Sequence, residues 1–324
     1  MTPTRRRLRR ALAATAATLA IASPALAAYP EQPVKLIVPW PPGGSGDAVG
    51  RQVADALSAG LGQTVYVENQ AGASGTIGAA TMVRSQPDGY TLYLASSSSN
   101  SAAPALLPRL PYDPVRDFTP ITLTAVVPSV LIVSARSPYH SVQQLVDAAK
   151  AKPGSMSYGS GGVGNSGHLS AALFAATTGI QAMHVPYKGN APATVDLLGG
   201  QINFMFDNNP VALVQGGKAR ALATTGDKRS VVLPDVPTFK ELGFPKVHLQ
   251  TWFGLAAPKG TPAAVVDKIY TALETGLKKT DADQRLAGLG VQVQTQPPAE
   301  FQAFWKEELD RYGELIKLSG AKVQ

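Results

Sequence analysis

Val34-Lys35-Leu36-Ile37-Val38-Pro39-Trp40-Pro41-Pro42-Gly43-Gly44-Ser45-Gly46-Asp47 sets an apolar run, a proline-braced turn and a glycine loop in direct succession. The run predicts a strand, and the amphipathic stretch from Val49 to Leu57 predicts a helix straight after the loop. A helix N-terminus carries unpaired N–H groups and the positive end of the helix dipole, and glycines let an anion come close to that backbone. Prolines fix φ while glycines reach conformations that other residues avoid. The N–H groups of Gly43 to Gly46 and the Ser45 hydroxyl are therefore candidates to hold a ligand carboxylate, with Pro42 stiffening the turn and Trp40 as an apolar wall. Asp47 stands where an N-cap or first-turn carboxylate is favoured. A purely structural strand-to-helix turn is the alternative reading.

The same grammar recurs at Met156-Ser157-Tyr158, then Gly159-Ser160-Gly161-Gly162-Val163-Gly164-Asn165-Ser166-Gly167-His168, then a helical stretch from Leu169 to Ala176. Gly162, Gly164 and Gly167 match a dinucleotide fingerprint in form, but no acid stands about 20 residues on to hold a ribose, so nicotinamide binding is rejected. Ser160, Asn165 and Ser166 add neutral donors beside the helix start, which suits a carboxylate. His168 is open between capping, ligand contact and packing. Two such loops, far apart in the chain, predict two half-sites that close on one small anion.

Strands are expected at 34–38, 64–68, 91–95, 129–134, 155–158, 202–206 and 219–224, with helices at 47–60, 75–85, 142–150, 168–178 and 191–199. This alternation argues for an α/β fold with largely parallel sheets and a ligand at the carboxyl ends of the strands. The tail reads as two helices, 262–280 and 298–318, separated at Pro297-Pro298. Further candidates lie at strand ends. Tyr187 lines a pocket or Lys188 lends it a charge, the bland alternative being a solvated lysine. Asp207 holds an amino group or a water, or caps the next helix. The Ser96–Asn100 stretch, Ser96 first, faces the ligand's second end.

Several chemistries are excluded. The chain has no cysteine, which removes disulfides, thiolate catalysis and thiolate metal sites. Its four histidines show no paired ligand spacing, and no metal or cofactor is expected. Ser45, Ser160 and Ser166 all fail the G-x-S-x-G pattern of a serine hydrolase. The formal charge is +7, from 29 Lys+Arg against 22 Asp+Glu, but five of those arginines fall within residues 1–27. The remainder is near balance, without the basic stripe of a nucleic-acid binder.

That N-terminal segment reads as a secretory leader. Arg5 to Arg10 form a basic region, Ala11 to Ala22 a short apolar one, and Ala25-Leu26-Ala27 the cleavage site. Export to the periplasm follows, by the general or the twin-arginine route. The remaining length, about 300 residues, is enough for two lobes without a disulfide staple.

The ordered succession of Tyr29-Pro30, Pro42-Gly43-Gly44-x-x-Asp47, Val67-Glu68-Asn69-x-x-Gly72-Ala73, Pro87-Asp88-Gly89-Tyr90-Thr91, Leu110-Pro111-Tyr112-Asp113 and Asp117-Phe118 resembles the Bug-type receptors of tripartite tricarboxylate transporters. Tyr158-x-Ser160 through His168-Leu169, Val185-Pro186-Tyr187-Lys188-Gly189, Leu233-Pro234-Asp235-Val236-Pro237-Thr238 and Trp252-Phe253-Gly254-Leu255 continue it along nearly the whole chain. The resemblance implies a two-lobed, type II-like periplasmic-binding-protein fold with two chain crossovers. Lobe one would combine 28–129 with 253–324, and lobe two would be 130–252. It implies a non-enzymatic receptor for a mono- or dicarboxylate, aromatic acids included, gripped by Gly43, Gly44, Ser45, Ser160, Gly161, Gly162 and Asn165. The partner would be a membrane permease, and the receptor a monomer. A sensor that presents its ligand to a signalling protein, or a secreted hydrolase or lyase, is the alternative. Two positions depart from the family pattern: Trp40 stands where phenylalanine is usual, and Gly46 where threonine or serine is.

Overall fold

The computed structural model describes residues 29–322, so the expected leader at 1–27 lies outside the described residues. In β1 (Val34–Val38) the side chains alternate between two buried faces. Val34, Leu36 and Val38 pack on Val49, Val53 and Leu57 of α1 (Ser45–Leu61). Ile37 points the other way, into a cluster with Ala79, Met82, Tyr93, Trp252 and Phe301. A strand covered on both faces reads as a continuous apolar run, which is why this one is visible in the sequence. Each large apolar side chain so buried contributes about 1.5–3 kcal/mol.

From there the chain runs through β2 (Val65–Asn69), α2 (Thr76–Met82), β3 (Thr91–Ser96), α3 (Ala103–Leu106) and the long β4 (Phe118–Pro128). The second half holds β5 (Val130–Ser134), α4 (Val142–Ala151), β6 (Met156–Ser160), α5 (Ser166–Thr178), β7 (Ala182–Pro186), α6 (Asn190–Gly199), β8 (Phe204–Asp207), α7 (Val211–Gln215) and β9 (Ala219–Thr224). The chain then returns through β10 (Gln250–Pro258), α8 (Ala263–Leu277), α9 (Ala282–Ala287), β11 (Gln292–Val293) and α10 (Pro298–Ser319).

Two sheets result, ordered β11-β4-β10-β3-β1-β2 and β7-β6-β8-β5-β9. They are mixed rather than largely parallel. β1 pairs in parallel with β2 and β3, and β6 with β7 and β8, while β10 runs antiparallel to β3 and β4, and β5 antiparallel to β8 and β9. The sequence expectation missed the antiparallel pairs of the first sheet because it lacked β4, whose β-branched run from Ile121 to Val127 lies between Pro120 and Pro128, and β10, whose glycine and alanines dilute the strand signal.

The lobes join where these strands meet. Only Ser129 separates β4 in the first sheet from β5 in the second, and the return strand β10 begins opposite, Gln250 pairing with Pro128. A third connection is made by packing. Tyr312, Leu315 and Ile316 of α10 share a buried cluster with Ala102 of the first lobe, Leu169 of α5 and Leu249. In the first lobe α1 and α8 touch backbone to backbone at two glycines. A Cβ on Gly60 would stand 1.9 Å from the Ala272 carbonyl oxygen, and one on Gly276 1.8 Å from that of Ala56.

Candidate functional site

A cleft of about 320 Å³ lies between the two sheets. Its first wall is the loop after β1 (Trp40, Pro41, Gly44, Ser45, Gly46) with Ser97, Ser98 and Ala102 from the segment after β3. The opposite wall is the loop after β6 (Gly164, Asn165, Ser166) with Asn208 after β8. Val127, Thr251 and Phe253 of the crossing strands and Tyr312 of α10 complete it. Twelve of its sixteen lining residues follow the carboxyl ends of β1, β3, β6 and β8, where such sheets leave a crevice. No lining residue carries a formal charge.

Two helices begin on this cleft from opposite lobes. α1 has Gly44 as N-cap, with no side chain to accept its first-turn N–H groups. At α5 the N-cap Asn165 accepts the His168 N–H at 2.8 Å. The first-turn N–H groups of α1, and at α5 those of Ser166 and Gly167, are thus available to an anion. Trp40 meets Phe253 edge to face, centroids 5.4 Å apart, forming an apolar wall. The indole lies directly over Gly46, where a Cβ would come within 2.8 Å of the ring. The Trp40 ring thus occupies the space that a side chain at position 46 would take.

Of the residues expected at the site, Trp40, Gly44, Ser45, Gly46, Asn165 and Ser166 line the cleft, as do Ser97 and Ser98 of the expected Ser96–Asn100 stretch. Others stand behind it and shape the loops. Asp47 is buried, and its carboxylate accepts the Gly43 N–H at 3.0 Å, Arg51 Nε at 3.0 Å and Asn69 Nδ2 at 2.8 Å. Burial by itself would raise its pKa, but Arg51, the Gly43 N–H and Asn69 together hold it below the usual carboxylate value. Pro42 and Gly43 are exposed on the outer side of that turn. Ser96 is buried beneath Ser97 and Ser98, its Oγ 3.4 Å from that of Ser99. Gly161 accepts the Gly189 N–H at 3.1 Å, and a Cβ there would strike Asn190 at 2.3 Å. Tyr187 donates its hydroxyl to Asp196 at 2.6 Å. Asp207 accepts from Asn190 Nδ2 at 2.8 Å and the Asn209 N–H at 3.2 Å. Lys188 is exposed and His168 is buried.

Ser160 and Gly162 are tied to each other within the second loop. The Ser160 hydroxyl is buried, accepts the Gly162 N–H at 3.2 Å and lies 2.7 Å from His184 Nε2. A serine beside a histidine invites comparison with a nucleophile and base, but this hydroxyl faces its own loop and does not line the cleft.

Sequence reasoning passed over Ala102, Val127, Gly164, Thr251, Phe253 and Tyr312 as lining residues. Tyr312 had no signal, because only the path of α10 brings it to the cleft floor.

Residues 49–321 match the model of the tripartite tricarboxylate transporter family receptor. The periplasmic binding protein BugD is 37% identical, with a TM-score of 0.73 over 91% of this chain and 100% of its own. Rpa4515 of Rhodopseudomonas palustris, solved with adipate, is 33% identical, with a TM-score of 0.76 over 91% of this chain and 100% of its own. MatC of the same organism, solved with bound malate, is 31% identical, with a TM-score of 0.72 over 89% of this chain and 100% of its own. The chain belongs to the receptor family of the tripartite tricarboxylate transporters.

Proposed function

We propose that this receptor captures a small organic acid in the interlobe cleft for delivery to the membrane component of its transporter. The observation that carries this reading is the pair of helix N-termini, α1 and α5, opening from opposite lobes onto one uncharged cleft. A carboxylate meets the N–H groups of Gly44 to Gly46 and the Ser45 hydroxyl on one side, and Asn165 and Ser166 on the other. Ser97, Ser98 and Asn208 serve its second polar end, and Trp40 and Phe253 lie against its carbon chain. The remaining expected residues, Pro42, Gly43, Asp47, Ser96, Ser160, Gly161, Gly162, Tyr187 and Asp207, act from behind by fixing the loops. Adipate and malate in related receptors support a carboxylate as the ligand class.

Binding closes the lobes about the crossing strands, and the closed form docks on the permease. The protein works in the periplasm as a monomer, after loss of a leader near Ala27, and returns its ligand chemically unchanged. No helix among the described residues is long and apolar enough to cross a membrane.

A thermal-shift screen against mono-, di- and tricarboxylates, aromatic acids and acidic amino acids tests this. A ligand at 100 times its dissociation constant adds about 2.7 kcal/mol of stability. A shift produced by one class of acid and lost in Gly44→Asp is expected. No shift with any acid, for protein shown to be free of ligand, overturns the reading, and recovery of an altered acid would point to an enzyme.

A further inference from the structure

The second glycine loop rests on two histidine rings that do not line the cleft. His168 of α5 and His184 of β7 stack with centroids 3.9 Å apart and planes within 5°. Tyr158 of β6 continues the stack, 4.9 Å from His184. Each ring holds a different point of the loop. His184 Nε2 lies 2.7 Å from Ser160 Oγ, which lies 3.1 Å from the Gly162 carbonyl oxygen. The tautomer of His184 sets which of the two gives the proton in the contact between its ring and the hydroxyl. At the turn the ring is the acceptor: the Gly164 N–H donates to His168 Nδ1 at 3.0 Å. That bond needs a lone pair on Nδ1, so the proton of His168 sits on Nε2.

Gly164 is where the loop needs holding. Its φ of +78° is left-handed, it lines the cleft, and a Cβ there would meet Leu106 of the opposite lobe at 2.7 Å. Asn165 and Ser166 follow it on the wall, and Asn165 caps the helix by accepting the N–H of His168 itself. One residue thus fixes the turn through its ring and the helix start through its backbone.

We propose that His168, braced by His184, is a positioning residue for ligand binding, its neutral ring setting the direction in which Gly164, Asn165 and Ser166 face the cleft. This rests on the reading of that loop as half of the ligand grip. The titratable groups facing the ring are His184 and Tyr158. Uptake of a proton at Nδ1 removes the acceptor of Gly164 and sets a charge against His184, so acid releases the turn. Burial, with His184 beside it, lowers the pKa of His168 to about 4, which keeps the ring neutral in ordinary conditions.

The test uses the purified receptor as wild type, His168→Phe and His168→Asn. Phenylalanine keeps the stacked ring without an acceptor, and asparagine offers Oδ1 near the place of Nδ1. Nitrogen-15 spectra of the wild type are expected to show the Nε2–H tautomer, titrating well below the ordinary histidine range. Amide exchange at Gly164 should quicken at least tenfold in His168→Phe, affinity for adipate, malate or benzoate should fall at least tenfold, and His168→Asn should recover most of both. A proton on Nδ1, an ordinary titration, or a His168→Phe protein that matches wild type in exchange and affinity overturns the proposal. If the variants fail to fold, the wild-type spectra decide. If none of the three acids binds wild type, the carboxylate reading fails on its own, while the spectra and the exchange still decide the role of His168.

Discussion

Ser129, between β4 and β5, and Thr225, directly after β9, are stitched together. The Ser129 N–H donates to the Thr225 hydroxyl at 2.9 Å, and the Thr225 N–H donates to the Ser129 carbonyl at 2.9 Å. The Thr225 hydroxyl then donates to the Leu249 carbonyl at 2.6 Å. Both residues are buried, so the Thr225 hydroxyl ties the first crossing, at Ser129, to Leu249, directly before β10.

Thr225→Val keeps the shape and removes the hydroxyl, leaving the Ser129 N–H and the Leu249 carbonyl without a partner. A buried group left so costs about 1–3 kcal/mol. Urea denaturation should show a loss of that size. A variant as stable as wild type would mean that the hydroxyl does not hold the crossing.

The fit of Trp40 over Gly46 is a steric contract inside the cleft wall. Gly46→Ala drives the indole out of place and should weaken acid binding about tenfold or more, with little change in the melting of the whole protein. The double variant Gly46→Ala with Trp40→Phe relieves the crowding, so a double-mutant cycle on affinity should show coupling of about 1 kcal/mol or more. Additive losses would show that the two side chains act independently.

At the α1–α8 crossing no side chain can yield. Gly276→Ala places a methyl group on the Ala56 carbonyl oxygen, so the helices must part. Overpacking of this kind costs about 1–3 kcal/mol, and the backbone contact argues for the upper end. Thermal melting checks this, and an unchanged midpoint would count against so close a crossing.

Stability should fall on the acid side in two stages. Burial holds His184 below the ordinary histidine value, and burial together with His184 takes His168 from 6.5 to about 4. The unfolded chain therefore binds protons first. The contribution of the pair is complete above about pH 6.5 and drains away as pH falls towards 4. Asp47 acts in a lower window: its carboxylate is held below 3.8, so its contribution is present above that value and is lost only beneath it. Denaturant midpoints measured from pH 7.5 down to pH 3 should trace both stages, and His168→Asn should flatten the first.

The strands that proved easy to read are those buried on both faces, such as Val34–Val38, where an apolar run ends at a glycine turn. Both helix starts at the cleft were equally legible, because a glycine loop followed by an amphipathic stretch is a local signal. β10 was not, since Gly254 and its alanines weaken the local strand preference, and β4 was masked by Pro120 and Pro128 at the two ends of its β-branched run. The site divides in the same way. Trp40, Gly44, Ser45 and Asn165 are adjacent to the signal that announced them. Thr251, Phe253 and Tyr312 reach the cleft only because the chain crosses back and α10 folds beneath both lobes. Asp47 and Ser160 carry polar groups in the right loops, yet geometry turns them inward to hold backbone N–H groups.

The cleft wall made of dipoles rather than ions has a consequence for the medium in which the receptor works. With no lysine or arginine on the wall, no condensed counter-ions have to leave when an acid enters, and screening by salt acts on the free ligand more than on the site. Affinity should therefore hold nearly constant from dilute to saline surroundings, where a receptor that grips its acid with arginines would lose its hold.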